Sequence, residues 1–118
     1  MVPINANTVP ELDSWGTVAD LGSDILEGEC LAFGKMVFSA SDAAVSCAYF
    51  GVTQGKFRMI YPFNEHAVVV EGLVTLTNER TGETNTYSVG QGWFVEKDTP
   101  VLWEVRGERF VKNYLAIA

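Results

Sequence analysis

Histidine and cysteine are scarce in this chain: one histidine, His66, and two cysteines, Cys30 and Cys47, among 118 residues. The cysteines stand far apart and outside any CxxC arrangement, which argues against a zinc or dithiol redox motif. They read as two buried free thiols on strands. Basic residues are also few, eight Lys and Arg against fifteen Asp and Glu, for a formal charge of −7. No cluster of Lys or Arg interrupts that balance, so nucleic acid and anionic membrane are excluded as partners. No run reaches the roughly 18 apolar residues that a membrane-spanning helix needs. The first residues, Met1-Val2-Pro3-Ile4-Asn5, lack a charged region followed by an apolar one, and the expected location is the cytoplasm.

What is present is a globular composition, 47% hydrophobic and 19% charged, in a length that makes one domain with its own core. Residues 1–30 are rich in Asn, Asp, Gly and Pro and predict an extended arm packed on the rest, with a weak helical turn over Val18 to Leu26. Leu12 and Trp15 are placed to pin that arm, and Glu27-Gly28-Glu29 reads as a solvated turn. From Leu31 the pattern changes to short strand-like runs: Leu31–Phe38, Ala44–Phe50, Lys56–Tyr61, Glu65–Val70, Leu73–Asn78, Thr84–Ser88, Trp93–Glu96, Val101–Val105 and Phe110–Ile117. Turn chemistry separates them, at Ser41-Asp42, Thr53-Gln54-Gly55, Arg80-Thr81-Gly82, Gly90-Gln91-Gly92, Asp98-Thr99-Pro100 and Arg106-Gly107. Even spacing of many short strands predicts an all-β sandwich or barrel over residues 31–118.

The centre of the pattern is Gly55 to Gly72, read as a hairpin of two apolar strands around the Tyr61-Pro62 corner. Residues two apart share a strand face, so Phe57, Met59 and Tyr61 align, and Phe63, Glu65, Ala67 and Val69 continue that face if the corner keeps parity. Glu65 thereby enters the interior while His66 points away. The only histidine and the central acid therefore cannot share one metal ion.

Glu65 with the Glu71-Gly72 turn, and Tyr87-Ser88-Val89-Gly90-Gln91-Gly92-Trp93-Phe94-Val95 followed by Pro100, resemble the two-part signature of the cupin superfamily. Gly55-Lys56-Phe57-Arg58, Tyr61-Pro62, Val74-Thr75-Leu76-Thr77, Trp103-Glu104-Val105 and Lys112 before Tyr114 narrow the likeness. Over about residues 36 to 117 the chain is similar to a branch of small cupins that includes the ethanolamine-utilisation cupins and resembles the ureidoglycine aminohydrolase domains. The resemblance implies a jelly-roll barrel, or double-stranded β-helix, whose open mouth holds a ligand, commonly in a homodimer. Metal-binding cupins place two histidines and a glutamate on the first motif and one histidine on the second, suited to a divalent transition metal. Here Met59, Tyr61 and Val101 stand where those histidines would lie, with Glu96 and Asp98 replacing the second motif's Pro and Gly. Only Glu65 survives, so no metal and no other cofactor is expected.

A buried carboxylate without a metal needs hydrogen-bonding or charged partners. Tyr61 and Lys112 are the candidates, and Glu65, Tyr61 and Lys112 are accordingly the candidate catalytic set for general acid–base work. The same three residues read equally well as a structural ion pair capped by a phenol. Tyr49, Met59, Tyr61, Glu65, Val101 and Trp103 are the candidate ligand-binding residues, and Trp93 is assigned to the rim. Arg58 and Glu71 read as surface charges. Three functions follow: a metal-independent small-molecule-binding cupin serving as sensor or accessory protein of small-metabolite catabolism; an enzyme acting on a small amine- or carboxylate-bearing metabolite with Glu65 as acid/base; or a structural or assembly domain with a filled barrel.

Overall fold

The computed structural model describes residues 1–118 as nine strands without a helix. The strands are β1 (Asp13–Thr17), β2 (Asp24–Gly28), β3 (Leu31–Ser39), β4 (Val45–Ile60), β5 (Asn64–Glu71), β6 (Leu73–Asn78), β7 (Thr84–Ser88), β8 (Gly92–Val95) and β9 (Pro100–Ile117). All pairings are antiparallel. The result is the expected all-β jelly roll.

Two long strands organise it. β4 and β9 pair along their whole length, from Val45 with Ile117 to Ile60 with Pro100. Their outer halves carry β3 and β1 on one side and β5 and β8 on the other; their inner halves carry β2, β6 and β7. The predicted corners at Thr53–Gly55 and Arg106-Gly107 are therefore not strand ends. They are one β-bulge, where Thr53 pairs with Arg109 but Gly55 already pairs with Val105. Four expected runs merge into two strands because each chain's ladder continues through this kink, which bends both sheets together.

The bulge also reverses which residues face inward. Phe50 and Val52 point into the barrel before it, Phe57 and Met59 after it. On β9, Val101, Trp103 and Val105 face inward on one side and Phe110 on the other. Gly55 makes the crossing feasible, since a Cβ there would meet the Glu27 carbonyl oxygen at 2.6 Å.

The expected hairpin is corrected too. β4 and β5 do not pair with each other; β9 lies between them, and the Tyr61-Pro62 corner carries the chain across from one sheet position to the other. The backbone of Tyr61 is held by the next loop, accepting from Asp98 and donating to Thr99.

The first thirty residues contain two strands rather than a plain arm: β1 pairs with β3 and β2 with β4. Val18 to Leu26 is not helical; turn hydrogen bonds at Leu21 and Gly22 lead directly into β2, which also takes up Glu27 and Gly28. Trp15 lies flat on Gly34, where any side chain would collide with the indole. Cys30 is fully buried in the loop between β2 and β3, whereas Cys47 on β4 is half-buried, and both are free thiols.

Candidate functional site

Glu65 occupies the second position of β5, in register with Val95 of β8 and Ala116 of β9, and is wholly enclosed at 0% exposure. Neighbouring small residues make the room: Ala67 is fully buried and sits in register between Tyr114 and Trp93. Both carboxylate oxygens are engaged. Oε2 accepts from the Tyr61 hydroxyl at 2.6 Å and from the Trp93 indole at 3.1 Å. Oε1 is in contact with the Lys112 ammonium. Three donors, one of them charged, offset the desolvation that an isolated buried carboxylate would suffer.

Lys112, 4% exposed, reaches this point from β9, where it is paired with Phe50 and Val69. Its ammonium lies 4.9 Å from the ring centres of Trp103 and Tyr114, 5.3 Å from Phe50, 5.6 Å from Trp93 and 5.7 Å from Tyr61. These are cation–π distances, and Glu65 is its one hydrogen-bonding partner. Burial holds the Lys112 ammonium below the ordinary lysine range, with Glu65 opposing that shift. Burial, reinforced by the Glu65 charge, pushes the Tyr61 phenol well above its usual value and the Tyr114 phenol up to about 12.

Above this floor is a cavity of about 260 Å³, walled mainly by apolar and aromatic side chains. Of the expected ligand-binding residues, Met59, Tyr61, Glu65 and Trp103 line it. Val101 packs in the buried core and does not line the cavity. Tyr49 is corrected: it faces the opposite side of the sheet, packed with Val70 and Val111, because inward parity before the bulge belongs to Phe50.

Phe50 and Tyr114 were not among the expected cavity residues, and Trp15, Val18, Leu21 and Ser23 close the wall from the N-terminal segment. The signal for Trp93 lay in its position opposite Ala67, a pairing invisible without the β5–β8 register. Trp93 does not merely pack at a rim; it is a direct donor to Glu65. Arg58 and Glu71 prove to be paired surface charges, with Glu79 and Arg109. A second, wider groove of about 760 Å³ at the bulge end is open and charged, with Glu27, Glu29, Glu104 and Glu108 beside Lys56 and Arg106.

Residues 39–114, nearly two thirds of the sequence, match the family described as the EutQ-like cupin domain. The chain belongs to that family. This cupin also shares its fold with the EutQ protein of Clostridium difficile, at TM-score 0.64 and 16% identity over 80% of this chain and 75% of that one. The ethanolamine utilisation protein of Salmonella typhimurium described as a putative EutQ aligns at TM-score 0.63 and 14% identity over 92% of this chain and 95% of its own. A protein of unknown function from Pseudomonas syringae pv. tomato reaches TM-score 0.78 at 17% identity over 92% of this chain, which spans 45% of that longer molecule. No curated protein sequence matches.

The cupin fold implies a metal at the mouth, but the residues here do not fit one. Met59, Tyr61 and Val101 take the places of the histidines, and the one carboxylate, Glu65, has both oxygens already accepting from three donors. No three His, Cys, Asp or Glu side chains converge anywhere in the chain, and His66 is exposed on the outer face. A thioether, a phenol and an isopropyl group offer no transition metal a ligand set.

Proposed function

We propose that this cupin binds a small, largely apolar molecule in the cavity above the Glu65–Lys112 pair, without a metal. The supporting observation is the cavity lining: Phe50, Phe57, Met59, Phe63 and Trp103 wall a space that also takes in the Glu65 and Lys112 side chains. Apolar and aromatic walls with a few placed polar groups are the usual make-up of a small-molecule site. About 260 Å³ lies just under the usual 300–1,000 Å³ of drug-sized sites, which limits the guest to a small metabolite. This supports the sensor or accessory role in small-metabolite catabolism over a barrel filled by its own side chains. Two free thiols suit a reducing compartment such as the cytoplasm.

A thermal-shift series of benzyl alcohol, isobutanol and small amides tests it. Binding raises the melting temperature by mass action. Absence of any shift across the series refutes the reading.

The homodimer has its own support. Phe38, Cys47, Leu115, His66 and Phe94 stand in register as one row across β3, β4, β9, β5 and β8. Phe38 is 57% and Phe94 63% exposed, and the row carries no Asp, Glu, Lys or Arg. A second copy, itself bearing −7, meets this row without opposing like charges. Light scattering on Phe94→Lys should then show monomer where the parent is dimeric.

A further inference from the structure

The pair at the cavity floor has a chemical capacity beyond holding a guest. A lysine amine becomes a nucleophile when it is desolvated and has a base within hydrogen-bonding reach to take its proton. Lys112 meets both conditions: it is enclosed by aromatic rings, lines the cavity, and touches Glu65 Oε1. The other three lysines lack this setting, with Lys35 and Lys97 exposed and Lys56 half-buried beside Glu104.

We propose that Lys112 forms a reversible imine with a small apolar aldehyde admitted to this cavity, Glu65 exchanging the protons. This rests on the cavity being a binding site, as proposed above. A Lys112 proton first passes to Glu65 Oε1, and the freed nitrogen pair forms a C–N bond to the carbonyl carbon while the C=O π pair moves to oxygen. Glu65 returns its proton to that oxygen, giving a carbinolamine. Glu65 then takes a second proton from nitrogen and delivers it to the hydroxyl, which departs as water while the nitrogen pair closes the C=N bond. Aldehyde and ammonium have become iminium and water, with no oxidant or reductant. The iminium keeps one positive charge and one N–H where the ammonium had them. Glu65 and the surrounding rings therefore stabilise the product as they did the reactant.

The full chain is incubated at neutral pH with benzaldehyde or isobutyraldehyde plus cyanoborohydride, and the reduced adducts are located by peptide mass mapping. Benzyl alcohol and isobutanol serve as comparators that fill the cavity without reacting. The expected result is adduct on Lys112 at about tenfold or more over Lys35, Lys56 and Lys97, none of which lines the cavity. Adduct distributed by exposure, or Lys112 unmodified while the alcohols still raise the melting temperature, overturns the imine and leaves the binding site standing. If neither alcohols nor aldehydes shift the melting temperature and Lys112 stays unmodified, both readings fall.

Discussion

β5 and β9 carry two ion pairs a few residues apart, and their surroundings differ completely. Glu65 with Lys112 is sealed at the cavity floor, whereas Glu71 with Arg109 lies at the other end of the same strand with each side chain more than a third exposed. The exposed pair has the better hydrogen-bond geometry, two parallel contacts of 2.7 and 2.9 Å. Yet solvent screens it, and it can matter little to stability. The buried pair has replaced all its water with Tyr61, Trp93 and aromatic faces, so neither member can lose its partner cheaply. Geometry alone does not rank ion pairs; the medium does.

Breaking the sealed pair on one side is the harshest way to test that contrast. Glu65→Ala or Lys112→Ala should cost about 3–5 kcal/mol in chemical denaturation, from the uncompensated charge left behind. Replacing both together, Glu65→Leu with Lys112→Met, should restore or exceed parent stability, within about 1–4 kcal/mol on the favourable side, while abolishing the ligand-induced thermal shift. A double variant as unstable as the singles would mean that shape, not charge, governs the floor.

Alkali probes the same enclosure through its phenols. Tyr61 and Tyr114 have folded pKa values raised above the unfolded value, so their contribution to stability is complete below pH 10 and disappears as pH rises through the folded values. Thermal melting should hold steady to about pH 10 and fall between there and pH 12, at up to about 1.4 kcal/mol per pH unit for each phenol kept neutral. Tyr61→Phe should cost about 1.5–3 kcal/mol, the range for a hydrogen bond to a charged group, and should flatten part of that alkaline decline. At the small end, Arg109→Ala should change stability by less than about 1 kcal/mol, and high salt should erase even that. A loss there comparable to Lys112→Ala would collapse the distinction between the two pairs.

Local pattern carried much of this molecule. Leu73–Asn78 and Thr84–Ser88 are strands with the boundaries that alternation predicts, because a hairpin's polarity pattern and its Arg80-Thr81-Gly82 turn are both local. Parity through the Pro62 corner correctly put Phe63, Glu65, Ala67 and Val69 on the inner face and His66 outside. Parity failed at Tyr49 because a bulge is a pairing event between β4 and β9, and nothing in Thr53-Gln54-Gly55 distinguishes it from a turn. Likewise Trp15 and the turn beginning at Val18 read as an arm, since their contribution to the cavity wall depends on β1 docking over Gly34.

The sequence by itself determined the all-β class, the loss of imidazole at the mouth and the inward course of Glu65, since each follows from residue type and a period of two along one strand. Only the tertiary structure decided that Lys112, Trp93 and Tyr61 meet on that carboxylate, that Phe50 replaces Tyr49 beside them, and that Trp103 keeps an unused donor. Those relations join β4, β5, β8 and β9 across a shared bulge, and contacts between distant strands depend on register, which no single stretch of chain contains.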